Sequence, residues 1–180
     1  MCVCNPLSRT PWCGKPGCEM PKQSFARSRP SVGSWLMQLA GTVALRSACV
    51  KRAVGAVLAK DGRVLSVGYN GTPRGWKNCD EGGCPRCAEG AAAGDDYARC
   101  LCCHAEENAI VQAARHGTAV EGATLYTLLS PCVPCARKIV NAGIDTVVYE
   151  ELWPEGGTAI EVLETCGVEC IKLSEGEEHE

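Results

Sequence analysis

Apolar positions fall into short blocks whose period switches between helix and strand. Trp35, Leu36, Leu39, Val43 and Ala44 recur at helical spacing, which predicts a first helix over Val32–Ala48 with Ser31 or Ser34 capping its start. Val54–Ala59 is a continuous apolar run and Val64–Tyr69 a second; the Lys60-Asp61-Gly62-Arg63 turn between them predicts a β-hairpin. Helix and strand patterns then alternate. Helices are expected over Ala105–His116, Cys132–Ala142 and Ala159–Cys166, and strands over Ala123–Leu128, Asp145–Tyr149 and Val168–Leu173. A helix, a hairpin and then alternating elements predict a three-layer α/β/α domain. Its mixed five-stranded sheet should be antiparallel at the start and parallel after.

The pattern leaves three stretches uncovered. Residues 1–31 read as an appendage, with Cys2, Cys4, Cys13 and Cys18 among Pro and Gly: either a poorly ordered tail or a small zinc knot. The single residue between Cys2 and Cys4 is short for such a knot. Residues 174–180 form an acidic, solvated tail, which leaves 32–173 as the domain proper. Asn70 to Arg99 is rich in Gly, Cys, Pro and charge, and a structureless loop that long needs something to organise it. Its cysteines are the candidates.

Composition narrows the class. A chain of 180 residues, 46% hydrophobic and 22% charged, builds one globular domain. Aromatics at 5% leave a core of Ala, Val, Leu and Ile. The net charge of −3 offers no footprint for a long nucleic acid but does not exclude a single nucleotide. The 15 cysteines are odd in number, and the first thirty residues carry no apolar run for a secretory signal or spanning helix. The thiols therefore read as metal ligands in a reducing compartment; the expectation is a cytoplasmic protein with no membrane partner.

The chemistry concentrates in two motifs. His104-Ala105-Glu106 and Pro131-Cys132-Val133-Pro134-Cys135 each open a predicted helix, with a predicted strand between them. His104, Cys132 and Cys135 supply three zinc ligands and leave a fourth position open. A catalytic Zn2+ so held makes water a competent nucleophile near neutral pH. The helix N-terminus favours thiolate at Cys132 and Cys135. Glu106, two residues from the His, can reach that water without ligating metal. The expected catalytic role is to take its proton, pass it to a ring nitrogen and protonate the departing ammonia. His116 at a helix end and His179 in the acidic tail receive no role.

These residues resemble the cytidine and deoxycytidylate deaminase superfamily, and the likeness extends beyond the ligands. Gly68-Tyr69-Asn70-Gly71-Thr72-Pro73-Arg74-Gly75 is similar to the G-[YW]-N-G-x-P-x-G loop of the deoxycytidylate branch. His104 to Ile110 resembles its H-A-E-x-N-A-I, Gly122 to Cys135 its G-A-T-x-Y…S-P-C-x-x-C, and Asn141 to Ile144 its N-A-G-I. The resemblance spans about Val32 to Leu173. It implies the cytidine-deaminase-like fold and conversion of dCMP to dUMP and ammonia. It implies a substrate site of Asn70, Gly71, Arg74, Ala105, Thr127, Ser130 and Trp153. Asn70 would meet the sugar and phosphate region, and Gly71 and Gly75 would let backbone N–H groups approach the phosphate. Trp153 stands where relatives often place a Tyr near that phosphate, so deoxycytidine, cytidine or a modified cytosine nucleotide stays open as substrate.

Some relatives carry a structural zinc, which implies at least one here. Cys49 and Cys79 stand at two of its positions; Cys84, Cys87, Cys100, Cys102 and Cys103 could supply the rest, with Cys87 and Cys102 or Cys100 preferred. A homo-oligomer, dimer or hexamer, is also implied. Control by dCTP and dTTP, found in part of the family, attaches to no residue. Other readings are a tRNA adenosine deaminase, a guanine or riboflavin-pathway deaminase, and a zinc-stabilised binding module without turnover. The acidic balance and the Asn70 loop oppose the first, and Glu106 opposes the last.

Overall fold

The structure is a computed structural model that describes residues 29–91 and 96–173. The four N-terminal cysteines and the acidic tail lie outside the described residues. The chain runs α1 (Val32–Ala44), β1 (Gly55–Lys60), β2 (Arg63–Tyr69), α2 (Pro85–Ala88), a 3-10 turn (Tyr97–Arg99), α3 (Ala105–Arg115), β3 (Thr124–Leu129), α4 (Val133–Asn141), β4 (Thr146–Glu151), α5 (Gly157–Thr165) and β5 (Glu169–Lys172). The Ser31 hydroxyl accepts from the Ser34 N–H at 3.2 Å, as an N-cap should. The first helix ends at Ala44 rather than Ala48, because the Leu45, Arg46 and Ser47 N–H groups turn back on the carbonyls three residues before them.

The sheet order is β2-β1-β3-β4-β5. β1 pairs antiparallel with β2 and β3; β3–β4 and β4–β5 are parallel. This is the mixed five-stranded sheet the pattern predicts. Asp61 and Gly62 both have positive φ (52° and 69°), so the hairpin turn twists with its strands. β1 is buried at every position but Lys60, which explains its unbroken apolar run.

Alternating residues divide the core. On one face Leu36, Met37 and Ala40 of α1 pack on Val57, Ala59 and Val148. On the other, Ala105 and Ala109 of α3, Ala136 and Ile139 of α4, and Ala159 and Leu163 of α5 cover Ala56, Leu58, Leu125 and Val147. Small contact residues bring the helices close. A Cβ at Gly55 would overlap Ala40 O and Ala44 N, and one at Gly68 would overlap Ala105 O and Ala109 N. The Gly68 contact fixes α3, and with it the His104 motif, against β2; the buried Ser66 hydroxyl adds a 2.6 Å hydrogen bond to Ala109 O.

Residues 71–103 leave the sheet and return. Gly71 and Cys103 exchange both backbone hydrogen bonds (3.2 and 2.8 Å), closing the excursion at its base. The α2 and 3-10 pieces inside it have no periodic signature, being shorter than the window in which periodicity can be read. Among the described side chains of the excursion Cys79, Cys84 and Arg86 are buried, with the Arg86 guanidinium 4.4 Å from the Tyr97 ring centre, while Trp76, Tyr97 and Leu101 are exposed.

Candidate active site and metal centres

α3 and α4 begin side by side. His104 is the N-cap of α3 and Cys132 the N-cap of α4, whose first turn carries Cys135. The Cys132 Sγ lies 3.2 Å from His104 Nδ1, and the Cys135 Sγ 3.5 Å from it. Ligands 2.0–2.3 Å from a tetrahedral zinc stand roughly 3.6 Å apart, so the spacing and the one-nitrogen, two-sulfur set fit that ion. The electrostatics agree. Hydrogen bonds from the Cys135 thiol and His104 hold Cys132 down to about 4, while the Cys132 sulfur beside Cys135, together with burial, drives the Cys135 thiol up. His104 is pushed up by its hydrogen bond to Cys132.

Glu106 sits in the first turn of α3 and is 5% exposed. Burial raises its carboxyl to about 7. A carboxyl of that kind both accepts and returns a proton near neutral pH. Ala105 is wholly buried against the sheet. Glu107, next along, bridges to Lys138 of α4 at 2.6 Å and joins the two helices that carry the ligands.

The Asn70 loop is held from several sides. Asn70 Oδ1 accepts from the Ser47 hydroxyl (2.7 Å) and the Val54 N–H (2.8 Å), and its Nδ2 donates to Arg52 O (2.8 Å). These bonds tie the end of β2 to the 46–54 segment. The Gly71 N–H donates to Cys103 O at 3.2 Å. Gly75 keeps its positive φ of 85°, and Arg74 is exposed beside it. Asn108 reaches from α3 to Tyr69 O at 2.8 Å and holds the loop from the other side.

Thr127 lies on β3 on the same face as Leu125, beneath α3 and α4. It is fully buried, and its hydroxyl has no partner among the described residues. The Ser130 hydroxyl accepts from the backbone N–H of Trp153 at 2.8 Å and so anchors that residue beside Pro131-Cys132. The Arg52 guanidinium stacks 5.3 Å from the Trp153 ring centre, and Tyr97 meets that ring edge-on at 6.2 Å. Neither Arg52 nor Tyr97 belongs to a motif. Arg52 is remote from Trp153 in sequence, and only the approach of the 46–54 segment to the end of β4 brings them together.

Sulfur atoms crowd the excursion. The Cys49, Cys79 and Cys87 sulfurs lie within 4.8 Å of one another, and so do those of Cys79, Cys84 and Cys102. Cys102 also contacts Cys49, and Cys100 contacts Cys84 and Cys102. Cys103 belongs to neither triad.

Residues 30–151 match the family described as the cytidine and deoxycytidylate deaminase zinc-binding region. The chain is 45% identical over 143 residues to deoxycytidylate deaminase of Schizosaccharomyces pombe, covering 79% of this chain and 44% of that protein. Against the Saccharomyces cerevisiae enzyme it is 43% identical over 157 residues, covering 87% and 49%. It thus spans about half the length of these curated relatives. The crystal structure of dCMP deaminase from the cyanophage S-TIM5 in complex with dCMP and dUMP superposes with a TM-score of 0.68 at 30% identity, covering 82% of this chain and 100% of that one. With the ligand geometry, the fold and the matched region in agreement, the chain belongs to the cytidine and deoxycytidylate deaminase family.

Proposed function

We propose that this protein catalyses hydrolytic deamination of a cytosine mononucleotide, dCMP and water giving dUMP and ammonia. The observation that carries the reading is the convergence of His104, Cys132 and Cys135 beside the buried Glu106. Those three side chains would hold zinc, which supplies a Lewis-acidic centre that makes water nucleophilic near neutral pH. Glu106 would accept one proton of that water as its oxygen bonds to the amine-bearing carbon and deliver it to the adjacent ring nitrogen; it would then take the second proton from the hydroxyl so formed and pass it to the amine as the carbon–nitrogen bond breaks. The relatives named as deoxycytidylate deaminases support the substrate.

In this reading Arg52, backed by Trp153, meets the phosphate, with Arg74 a second cation on the facing loop. Thr127 offers its unpartnered hydroxyl to the bound nucleotide. The sulfur group around Cys79 is a structural zinc site that orders the excursion. The eleven cysteines among the described residues are all free, as a reducing compartment requires. Among the described residues no helix is long and apolar enough to cross a membrane. The exposed Val67 and Tyr69 on edge strand β2 support a homo-oligomer.

The substrate assignment is tested by incubating the zinc-loaded protein with dCMP, CMP, deoxycytidine and cytidine, following loss of cytosine absorbance and ammonia release. The expected result is the highest kcat/KM with dCMP. Equal or better turnover of deoxycytidine would overturn the nucleotide assignment while leaving the deaminase chemistry in place.

A further inference from the structure

We propose that Cys49, Cys79, Cys84, Cys87, Cys100 and Cys102 hold two zinc ions in a single six-thiolate cluster, with Cys79 and Cys102 shared between the ions. The proposal deepens, and rests on, the reading of the sulfur group as a zinc site.

Coordination arithmetic motivates it. A closed structural zinc takes four ligands, so two ions need eight ligand positions. Six thiolates fill eight positions when two of them bridge. The sulfur grouping favours Cys79 and Cys102 as the bridges. Cys79 belongs to both close triads, Cys49–Cys79–Cys87 and Cys79–Cys84–Cys102. Cys102 touches Cys49 on one side and Cys100 on the other. One ion therefore takes Cys49, Cys87, Cys79 and Cys102; the second takes Cys84, Cys100, Cys79 and Cys102. In a tetrahedral zinc–thiolate site the sulfurs lie roughly 3.8 Å apart, and the 4.8 Å limit on both triads needs only a small contraction to reach it. A single zinc on Cys49, Cys87, Cys79 and Cys102 would leave two sulfurs, the buried Cys84 and the half-buried Cys100, without an ion.

The surroundings suit thiolates. Backbone amides of Lys51 and Arg52 lie close enough to Cys49, and those of Leu101 and Cys87 to Cys84, to favour the thiolate. Such donors stabilise sulfur charge around a metal. An all-sulfur set selects zinc over magnesium or calcium. The cluster also has mechanical reach. Cys102 lies two residues before the ligand His104, and Cys49 three before Arg52, so the same ions would fix both the metal motif and the cation on Trp153.

The test uses the full chain, zinc-loaded, with zinc per chain from elemental analysis and zinc-edge X-ray absorption. Wild type should show a zinc–zinc scattering shell. Cys49→Ser/Cys87→Ser should bind one zinc fewer than wild type, since the second tetrahedron stays complete. Cys84→Ser/Cys100→Ser should also bind one fewer, and the quadruple variant two fewer. If one double variant loses a zinc and the other none, with no zinc–zinc shell in wild type, a single-ion site replaces the pair. If no variant loses zinc, the structural-zinc reading itself fails. Because the scattering shell is read on unmutated protein, a variant that does not fold leaves the proposal testable.

Discussion

Thr127 and Arg52 pose the sharpest questions at the scale of single residues. The buried Thr127 hydroxyl has no partner among the described residues, and a group in that state costs about 1 kcal/mol or more. Replacing it by Val should leave stability unchanged or raise it by about 1 kcal/mol in chemical denaturation. If the hydroxyl serves the substrate, the same variant should lower kcat/KM; unaltered kinetics would reduce Thr127 to a wall. Arg52→Ala should raise KM for dCMP about tenfold or more, the scale of one charge-assisted contact, and leave deoxycytidine kinetics unaltered. Equal effects on both substrates would remove Arg52 from the phosphate. Short-range spacing made the ligands and Glu106 legible in the sequence, since an N-cap and a first turn fix them on one helix end. Arg52 and Tyr97 were not legible, because only tertiary approach brings them to Trp153.

At the scale of elements, the placement of α3 on β2 controls the site. Gly68 lies under Ala105 and Ala109 with no room for a Cβ, and backbone rather than a flexible side chain stands in the way. Gly68→Ala should therefore cost about 1–3 kcal/mol, the usual penalty of overpacking, and shift α3 with His104 and Glu106. Thermal unfolding and kcat should fall together; a stable, fully active variant would show that α3 moves without consequence. Helices and strands of the layered domain were legible from their periods, with bounds displaced by a few residues where caps decide, as at Ala44. The short pieces at Pro85–Ala88 and Tyr97–Arg99 were not, because they follow the sulfur packing of the excursion rather than a repeating apolar face.

For the molecule as a whole, the proposed metal sites would link architecture to chemistry. The sheet and its two apolar faces need no ion, whereas the 71–103 excursion has sulfur where a core would be. Removing zinc with a strong chelator should lower the melting temperature and expose the excursion to proteolysis before the β1–β5 sheet is cut, because binding to the folded state alone stabilises it. Simultaneous loss of the whole chain would show that the metal supports the entire fold. The cysteine count pointed to metal from the sequence alone; the way the sulfurs group depends on the return of Cys100 and Cys102 to Cys49, which no local pattern encodes.

In the proposed chemistry Glu106 carries the protons of a deamination at the His104–Cys132–Cys135 site. The most direct test of this role compares wild type with Glu106→Gln at equal zinc content, following dUMP and ammonia from dCMP. The expected result is an intact fold, retained zinc and a kcat lower by about two to four orders of magnitude, the usual worth of a positioned acid–base group. A Glu106→Gln protein that turns dCMP over at the wild-type rate would contradict it.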